Sequence, residues 1–212
     1  LQEALGYQAA TNPIWDLENT ECIMVLGANV TEEHNVVGIP IKRAAKKGTS
    51  LIVVDPREIE LTRYANLWIR PNPGTEGVVL GGMLKVIMDE VLEDESYLQE
   101  RCENIEGLKN SLWQFDLKRV ESITGVSPET VREAARSFAQ TSTSAIVYAL
   151  DNIPLSQHMD CARAIVDLAL VTGNLGKANA GIYPLRPGTN DQGSWDVGCV
   201  PNMLPGYIKV ED

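Results

Sequence analysis

The chain of 212 residues lacks several features that would each assign it to a class of protein. Its four cysteines are widely scattered and form no CxxC pair, so the sequence offers no zinc or iron–sulfur ligand set. Basic residues number 18 against 29 acidic ones, and the net charge of −11 argues against a nucleic-acid-binding surface. No apolar run approaches the roughly 20 residues of a membrane-spanning helix, so we predict no direct membrane insertion.

Histidine motifs are also missing. His34 and His158 are the only histidines, and neither belongs to a Ser/His/Asp or HExxH arrangement. We predict that both are partly exposed side chains with ordinary hydrogen-bond partners, and that the acidic run 93–95 is a solvated surface. The chain has no initiator methionine or signal peptide and starts within a pattern at Leu1, so we expect a piece of a longer polypeptide.

What the sequence does have is a regular alternation of apolar strands and helices. Strands are predicted at 21–27, 50–56, 67–70 and 144–150, and helices at 36–47, 77–91, 127–140 and 157–171. Continuous apolar strands of this kind predict an α/β fold, a doubly wound and mostly parallel sheet with helices on both faces. The mixed pattern of 96–115 predicts a lid over one sheet edge. The Gly/Pro/Asn-rich chain beyond 171 predicts an irregular C-terminal arm on a single domain.

Three of the predicted strands end in residues suited to a nucleotide, and open parallel sheets bind ligands where their strands end. Gly27 lets the backbone approach a phosphate or base, and Asn29 can donate and accept hydrogen bonds beside a helix N-terminus. Asp55 can bind a ribose or guanine, and Arg57 can stack on, or pair with, the same nucleotide. The third strand ends at Leu150. The pattern is not GxGxxG, which argues against a nicotinamide site, and ordinary turn chemistry is the alternative at each strand end.

Two further motifs lie outside these strand ends. Gly74 precedes a predicted helix at which Thr75 can cap and Glu76 occupies the first turn, an arrangement that on its own is an ordinary helix start. The connector 172–181 is rich in glycine and asparagine, which is typical of a functional or disordered loop whose backbone approaches something closely. Arg186 follows it, and a permanent cation with a planar fork suits a carboxylate.

The order and spacing of these motifs resemble the molybdopterin oxidoreductases, and most closely the catalytic (alpha) subunits of formate dehydrogenases. The similarity extends from about Ala10 to Asp212, and its most specific parts are 27–34, 55–57, 73–76, 172–181 and 184–186. Members of that family hold molybdenum or tungsten between two molybdopterin guanine dinucleotides. They oxidise formate to carbon dioxide and pass the electrons to a nearby 4Fe–4S cluster. The chain, over 1–212, is similar to their internal, Rossmann-like dinucleotide-binding domain.

The resemblance implies roles for individual residues. The cofactor-binding positions that it implies are Gly27, Asn29, Glu32, Val54, Asp55, Arg57, Gly74, Thr75, Glu76, Leu150 and Pro154. The first three match a loop around the nucleotide phosphates and sugar, and the next three match the guanosine pocket. The Gly-Thr-Glu motif matches a second wall of that pocket, and the last two fall on a loop beneath the cofactor. Arg186 matches the arginine beside the metal that orients formate, which makes it the implied catalytic residue.

Part of the family pattern is altered or expected elsewhere. After the arginine the family usually continues Gly-Gln-Asn-Asn-Val-Gln-Gly, whereas this chain has Pro-Gly-Thr-Asn-Asp-Gln-Gly at 187–193. The metal-ligating cysteine or selenocysteine, its neighbouring histidine and the cysteines of a 4Fe–4S cluster are expected before Leu1. The implied partners are therefore the remaining domains of the same chain, iron–sulfur or other electron-transfer subunits, and formate. The chain alone is expected to be inactive.

Two alternatives stay open. The altered segment 187–193 is compatible with a molybdopterin oxidoreductase that acts on another substrate. The large iron–sulfur subunit of respiratory complex I has the same fold without the metal. Retention of Asp55, Arg57 and Arg186 favours the enzyme, because a vacant site would not need them.

Overall fold

The centre of the fold is a parallel sheet, seen in a computed structural model that describes residues 5–6, 9–188, 190–201 and 203–210. Its strands are β1 (Cys22–Leu26), β2 (Ser50–Val54), β3 (Leu67–Ile69), β4 (Ser144–Tyr148) and β5 (Gly181–Pro184). All neighbours pair in parallel, and the order across the sheet is β3-β2-β1-β4-β5. The predicted α/β fold with a parallel sheet is confirmed. The order reverses between β1 and β4, which is where such sheets open a crevice at their carboxyl ends.

Helices cover both faces of this sheet. In chain order they are α1 (Asn35–Lys47), α2 (Glu76–Asp89), α3 (Glu95–Arg101), α4 (Ile105–Ser111), α5 (Leu117–Thr124), α6 (Pro128–Ala139), α7 (His158–Val171) and α8 (Asp191–Asp196). Short 3-10 segments lie at Ile14–Asn19, Glu60–Tyr64, Leu112–Phe115 and Leu155–Gln157. The four predicted helices begin and end within two residues of α1, α2, α6 and α7.

Two hydrophobic cores flank the sheet, because successive side chains of a strand point to opposite faces. Met24 of β1 packs in the core that contains residues of α2, α6 and α7. Ile23 and Val25 pack in the other core, with residues of α1 and the 3-10 segments Ile14–Asn19 and Glu60–Tyr64. All five residues of β1 are buried, which explains why its apolar run is continuous rather than alternating.

The helix ends follow the sequence signals in two of three cases. Gly48 ends α1 in a left-handed conformation, with φ of 103°. Ser127 caps α6, since its hydroxyl accepts the N–H of Thr130 at 3.2 Å. Thr75 occupies the N-cap position of α2, but its hydroxyl donates to the carbonyl of Asn72 at 2.7 Å instead of accepting from the helix. The predicted side-chain cap at Thr75 is therefore wrong.

The C-terminal arm is more regular than predicted. β5 joins the sheet, α8 follows it, and β6 (Met203–Leu204) pairs antiparallel with β7 (Ile208–Lys209). β5 has four residues and ends in a proline, which leaves too little periodicity for a strand signal. Its outer edge is covered, because the Thr11 N–H donates to the Ile182 carbonyl at 3.0 Å and the Ile182 N–H donates to the Thr11 hydroxyl at 2.9 Å.

The glycine- and asparagine-rich connector 172–181 leads into the amino end of β5, opposite the crevice. Asn174 is 1% exposed, and its amide oxygen accepts the N–H of Ser144 at 2.8 Å. At Gly181 an added Cβ would lie 2.3 Å from the side-chain oxygen of Asn12. The close contact that favours glycine at position 181 is therefore with the protein's own N-terminal segment. The connector is therefore ordered, which excludes the disordered alternative, and a functional role for it stays a prediction.

Residues 96–115 form an outer helical layer, not a lid over a sheet edge. α3 packs on α7, and the 3-10 segment Leu112–Phe115 packs on α2. The acidic run before α3 is also less solvated than predicted, because Asp94 caps this helix and accepts the Tyr97 N–H at 3.0 Å. Hydrogen bonds from the Tyr97 backbone and the Ser96 hydroxyl hold the pKa of Asp94 below its ordinary value.

We predict that Gly27→Ala destabilises the fold much more than Gly48→Ala, a matched control. Both glycines have positive φ, 62° and 103°, which costs alanine about 1–2 kcal/mol. An added Cβ at Gly27 would lie 2.7 Å from the carbonyl oxygen of Ala149, whereas nothing lies within 4 Å at Gly48. Overpacking adds about 1–3 kcal/mol at Gly27 alone. Urea unfolding measures both free energies, and equal losses would contradict this tight contact between the ends of β1 and β4.

Candidate functional site

The predicted cofactor-binding positions all lie at one end of the sheet, which we call the carboxyl edge. Because the five strands are parallel, the chain leaves each of them at this edge. The predicted positions lie at the end of β2 and in the loops after β1, β2, β3 and β4, and Arg186 follows β5. The fold therefore places at one edge groups that are as far apart in the sequence as Gly27 and Arg186.

Hydrogen bonds of backbone and side-chain groups join the end of β1 to the ends of β2 and β4. The N–H of Gly27 donates to the Val54 carbonyl at 2.9 Å, and the side-chain amide of Asn152 donates to the Gly27 carbonyl at 3.2 Å. Val54 is fully buried at the end of β2. The Leu150 carbonyl accepts the N–H of Ile153 at 2.9 Å and so starts the turn toward Pro154. The fold itself therefore favours glycine at position 27, independently of any ligand.

The loop after β1 is organised by Asn29. This residue is 7% exposed, and its side-chain oxygen accepts the Thr31 hydroxyl at 3.0 Å. Its carbonyl accepts the N–H groups of Glu32 at 3.1 Å and Glu33 at 2.9 Å. The Glu32 side chain is exposed at the surface of this loop. Asn29 therefore shapes the loop, while Glu32 is free to face a ligand or water.

The buried Asp55 and the partly exposed Arg57 form an ion pair at the end of β2. The Asp55 side chain is 1% exposed and that of Arg57 45%. Both carboxylate oxygens accept from the guanidinium at 3.1 Å, and one also accepts the Arg57 backbone N–H at 2.8 Å. The Trp68 indole N–H donates to the Asp55 carbonyl at 2.9 Å. The hydrogen bonds that Arg57 donates to Asp55 raise the pKa of Arg57, and the charges of Asp55, Glu33 and Glu32 raise it further.

Glu76, at the start of α2, is a buried carboxyl group of the carboxyl edge. It is 2% exposed, and its Oε2 atom has no hydrogen-bond partner among the described residues. Burial raises the pKa of Glu76, and the neighbouring Asp55 charge raises it further, against hydrogen bonds from the backbone of Glu76 and Gly74. Such an unsatisfied acceptor costs about 1–3 kcal/mol, so an N–H or O–H donor of a ligand would stabilise this site.

Gly74 and Pro154, predicted for two different walls of the site, are in contact. A Cβ on Gly74 would lie 3.2 Å from Cδ of Pro154, and φ of Gly74 is 82°. Beside them a cavity of about 390 Å³ opens between α2, α5 and α7, with Arg119, Gln157 and Thr75 in its lining. The loops after β3 and β4 therefore form one continuous surface.

Arg186 lies two residues beyond β5, and its backbone is anchored to the neighbouring strand. The N–H of Leu185 donates to the Tyr148 carbonyl at 2.8 Å. The guanidinium of Arg186 stacks on the ring of Trp195, with Cζ 3.9 Å from the ring centre. The sequence does not predict this contact, because α8, which carries Trp195, has only six residues and leaves no periodic signal.

Both histidines are partly exposed, as predicted. His34 and His158 are half-buried, and Nε2 of His158 lies 2.7 Å from the Ile153 carbonyl oxygen. Within the described ranges, no three His, Cys, Asp or Glu side chains converge in a way that could hold a metal ion. No helix in the described part of the chain has the length and apolarity needed to cross a membrane.

Comparison with known proteins identifies the family. The sequence model of molybdopterin oxidoreductases matches residues 2–204. The chain belongs to the molybdopterin oxidoreductase family. It is 35% identical to the alpha subunit of a formate dehydrogenase of Methanococcus maripaludis over 210 residues, which are 99% of this chain and 31% of that protein. It is also 35% identical to formate dehydrogenase H of Escherichia coli over 212 residues, or 100% of this chain and 30% of that protein.

Other members of the molybdopterin oxidoreductase family carry different names. The catalytic subunit of assimilatory nitrate reductase of Bacillus subtilis is 32% identical over 205 residues, 95% of this chain and 28% of that protein. The solved structure of acetylene hydratase from Pelobacter acetylenicus superimposes with a TM-score of 0.65 at 29% identity, covering 73% of this chain and 21% of that one. Membership implies a molybdopterin cofactor with molybdenum or tungsten, and it confirms the predicted resemblance. The chain spans only about 30% of the length of its curated relatives.

We predict that Glu76→Gln stabilises the cofactor-free protein increasingly as the pH rises. The folded state raises the pKa of Glu76, so folding binds protons that the unfolded chain releases, and the stability contribution of Glu76 falls with rising pH. Glutamine keeps the shape and removes this titration. Melting temperatures from pH 5 to pH 8 should show a gain of a few degrees for the variant at pH 8 that shrinks toward pH 5. A difference that does not change with pH would contradict the assigned burial of a titrating carboxyl group.

Proposed function

We propose that this chain is the domain of a molybdopterin oxidoreductase that binds molybdopterin guanine dinucleotide, and that its parent protein is a formate dehydrogenase. The observation that supports the proposal most strongly is that one edge of the sheet holds the ion pair of buried Asp55 with Arg57, a Glu76 oxygen without a partner among the described residues, and Arg186. The relatives named formate dehydrogenase, at 35% identity over nearly the whole chain, support the same substrate.

The residues present fit the guanosine end of such a cofactor. Guanine offers N–H donors along one edge, and the Oε2 atom of Glu76 is a buried acceptor without a partner among the described residues. Arg57 is held in place by Asp55 and is about half exposed, so its planar face is available for stacking on a base or for pairing with a phosphate. We assign the sugar and phosphates to the loop of Gly27, Asn29 and Glu32, next to the N-terminus of α1.

The loops after β3 and β4 complete this assignment. We assign Gly74, Thr75 and Glu76 to the second wall of the guanosine pocket. The contact of Gly74 with Pro154 joins that wall to the loop of Leu150 beneath the cofactor. In the intact protein we expect two such dinucleotides around the metal, the second one held largely by domains outside this chain. Residues 1–212 would then act as a single cofactor-binding domain.

Arg186 is the proposed substrate-binding residue. When bound, the cofactor supplies a molybdenum or tungsten ion capable of two-electron redox chemistry. Formate is an anion at neutral pH, and the N–H fork of a guanidinium binds both oxygens of a carboxylate in one plane. This geometry would direct the C–H bond of formate away from Arg186. The electrons would leave through a 4Fe–4S cluster and electron-transfer subunits, which we propose as partners.

A second candidate is a molybdopterin oxidoreductase that acts on another substrate. The observation that favours it is the segment 187–193, which replaces the family's usual Gly-Gln-Asn-Asn-Val-Gln-Gly by Pro-Gly-Thr-Asn-Asp-Gln-Gly. The names of the nitrate reductase and acetylene hydratase relatives indicate that substrates vary within the family. The two candidates share the cofactor and differ in whether formate is turned over.

We predict that Arg186→Ala lowers kcat/KM for formate about 30- to 1000-fold in the full-length parent while its molybdenum or tungsten content stays unchanged. The loss corresponds to about 2–4 kcal/mol for a two-point, charge-assisted contact. The measurement combines formate-dependent dye reduction with elemental analysis of the same sample. Arg43→Ala, at an exposed position of α1, is the matched control and should change neither quantity.

Either of two results would overturn this proposal. Metal without formate turnover in the unaltered parent would favour the second candidate. A properly matured parent without molybdenum or tungsten would contradict the cofactor itself.

A further inference from the structure

The contact with the ring of Trp195 restricts how the guanidinium of Arg186 can turn. The Cζ atom lies 3.9 Å from the centre of the Trp195 ring, which is van der Waals contact and leaves no room for water between the two groups. Both side chains are half-buried. A cation over an aromatic face is attracted by the negative face of the ring, and Arg is well suited to this because its charge is spread over a plane.

The helix that carries Trp195 is fixed at both of its ends. At the start of α8, the Asn190 side chain accepts the Gly193 N–H at 3.3 Å. The carboxylate of Asp191 accepts the N–H of Gly188 at 3.1 Å, which joins this helix to the turn just after Arg186. The ring and the guanidinium are therefore held by one short segment.

A second set of contacts fixes the far end of α8. The Asp196 carboxylate accepts hydrogen bonds from Tyr207 and, at 2.9 Å, from Gln192, and the Asp196 carbonyl accepts the N–H of Gly206 at 3.0 Å. Hydrogen bonds from Tyr207 and Gln192, with the charge of Arg186 nearby, keep the pKa of Asp196 below its ordinary value. The turn between β6 and β7 thus fixes α8, and α8 carries the ring of Trp195.

We infer that Trp195 is a positioning residue for Arg186: its ring covers one face of the guanidinium and so fixes the plane in which this group binds the carboxylate of the substrate. A carboxylate that binds an arginine side-on needs this plane fixed, because rotation of the long side chain would turn the fork away. The choice of formate as the carboxylate rests on the proposed function, whereas the stacking itself does not. Arg186 remains the group that touches the substrate.

The test measures the reactivity of Arg186 in the full-length protein. Phenylglyoxal modifies accessible guanidinium groups, and mass spectrometry of the peptide that contains Arg186 gives the modification rate. We expect Trp195→Ala and Trp195→Leu to raise this rate about three- to thirtyfold, the range that corresponds to loss of a cation–π contact. Trp195→Phe keeps an aromatic face and should stay close to the wild-type rate. Trp113→Ala removes a tryptophan that is 74% exposed elsewhere and should have no effect.

The same variants of the cofactor-loaded protein provide a kinetic readout. Trp195→Ala and Trp195→Leu should raise KM for formate about three- to thirtyfold with a smaller change in kcat, and Trp195→Phe should restore KM. An unchanged modification rate in Trp195→Leu, which keeps the apolar bulk and guards against misfolding, would overturn the inference whatever the activity. A raised rate in a parent that does not turn over formate would leave the inference standing and contradict the proposed function.

Discussion

The pairing of β1 with β2 on one side and β4 on the other is the constraint on which the candidate site depends. Because both pairings are parallel and in register from Cys22 onward, the ends of β1, β2 and β4 lie side by side. The chain then leaves β1 and β4 toward opposite faces, to α1 and to α7, and this opens the crevice. Gly27 is part of the same constraint, since a side chain there would collide with Ala149.

The carboxyl edge combines groups that a stable fold alone would not select. The carboxyl groups of Asp55 and Glu76 are both almost fully buried, and only the first has a cation to compensate it. A buried charge or acceptor without a partner destabilises a fold, so its presence favours a role in binding over a role in stability. The guanidinium groups of Arg57 and Arg186 are each held by a neighbour, one by a carboxylate and one by an aromatic ring. We regard this edge as a set of prepared positions for a large anionic ligand.

The sequence predicts the helices and strands that carry a periodic or apolar pattern. It does not predict the features that depend on a single contact. The long helices and four of the five sheet strands carry strong periodic or apolar signals, and their bounds are close to those observed. β5 is too short for such a signal. The close neighbours of the glycines in the connector 172–181, which are Asp94 at Gly173 and the N-terminal segment at Gly181, are distant in sequence. The proposed site residues come from strand ends and from family resemblance, and their roles stay predictions. The stacking of Trp195 on Arg186 does not follow from either, because nothing local links the two residues.

The most direct test of the account is the amount of guanosine monophosphate that acid hydrolysis releases from the purified full-length protein, relative to its molybdenum or tungsten. We predict about two nucleotides per metal in the wild type, as the family resemblance implies, and a clear loss of both nucleotide and metal per protein in Arg57→Ala, because that variant removes the guanidinium assigned to the guanosine pocket. A metal-loaded protein that releases no guanosine monophosphate, or an Arg57→Ala variant with the full amount, would contradict the assignment of the carboxyl edge to this cofactor.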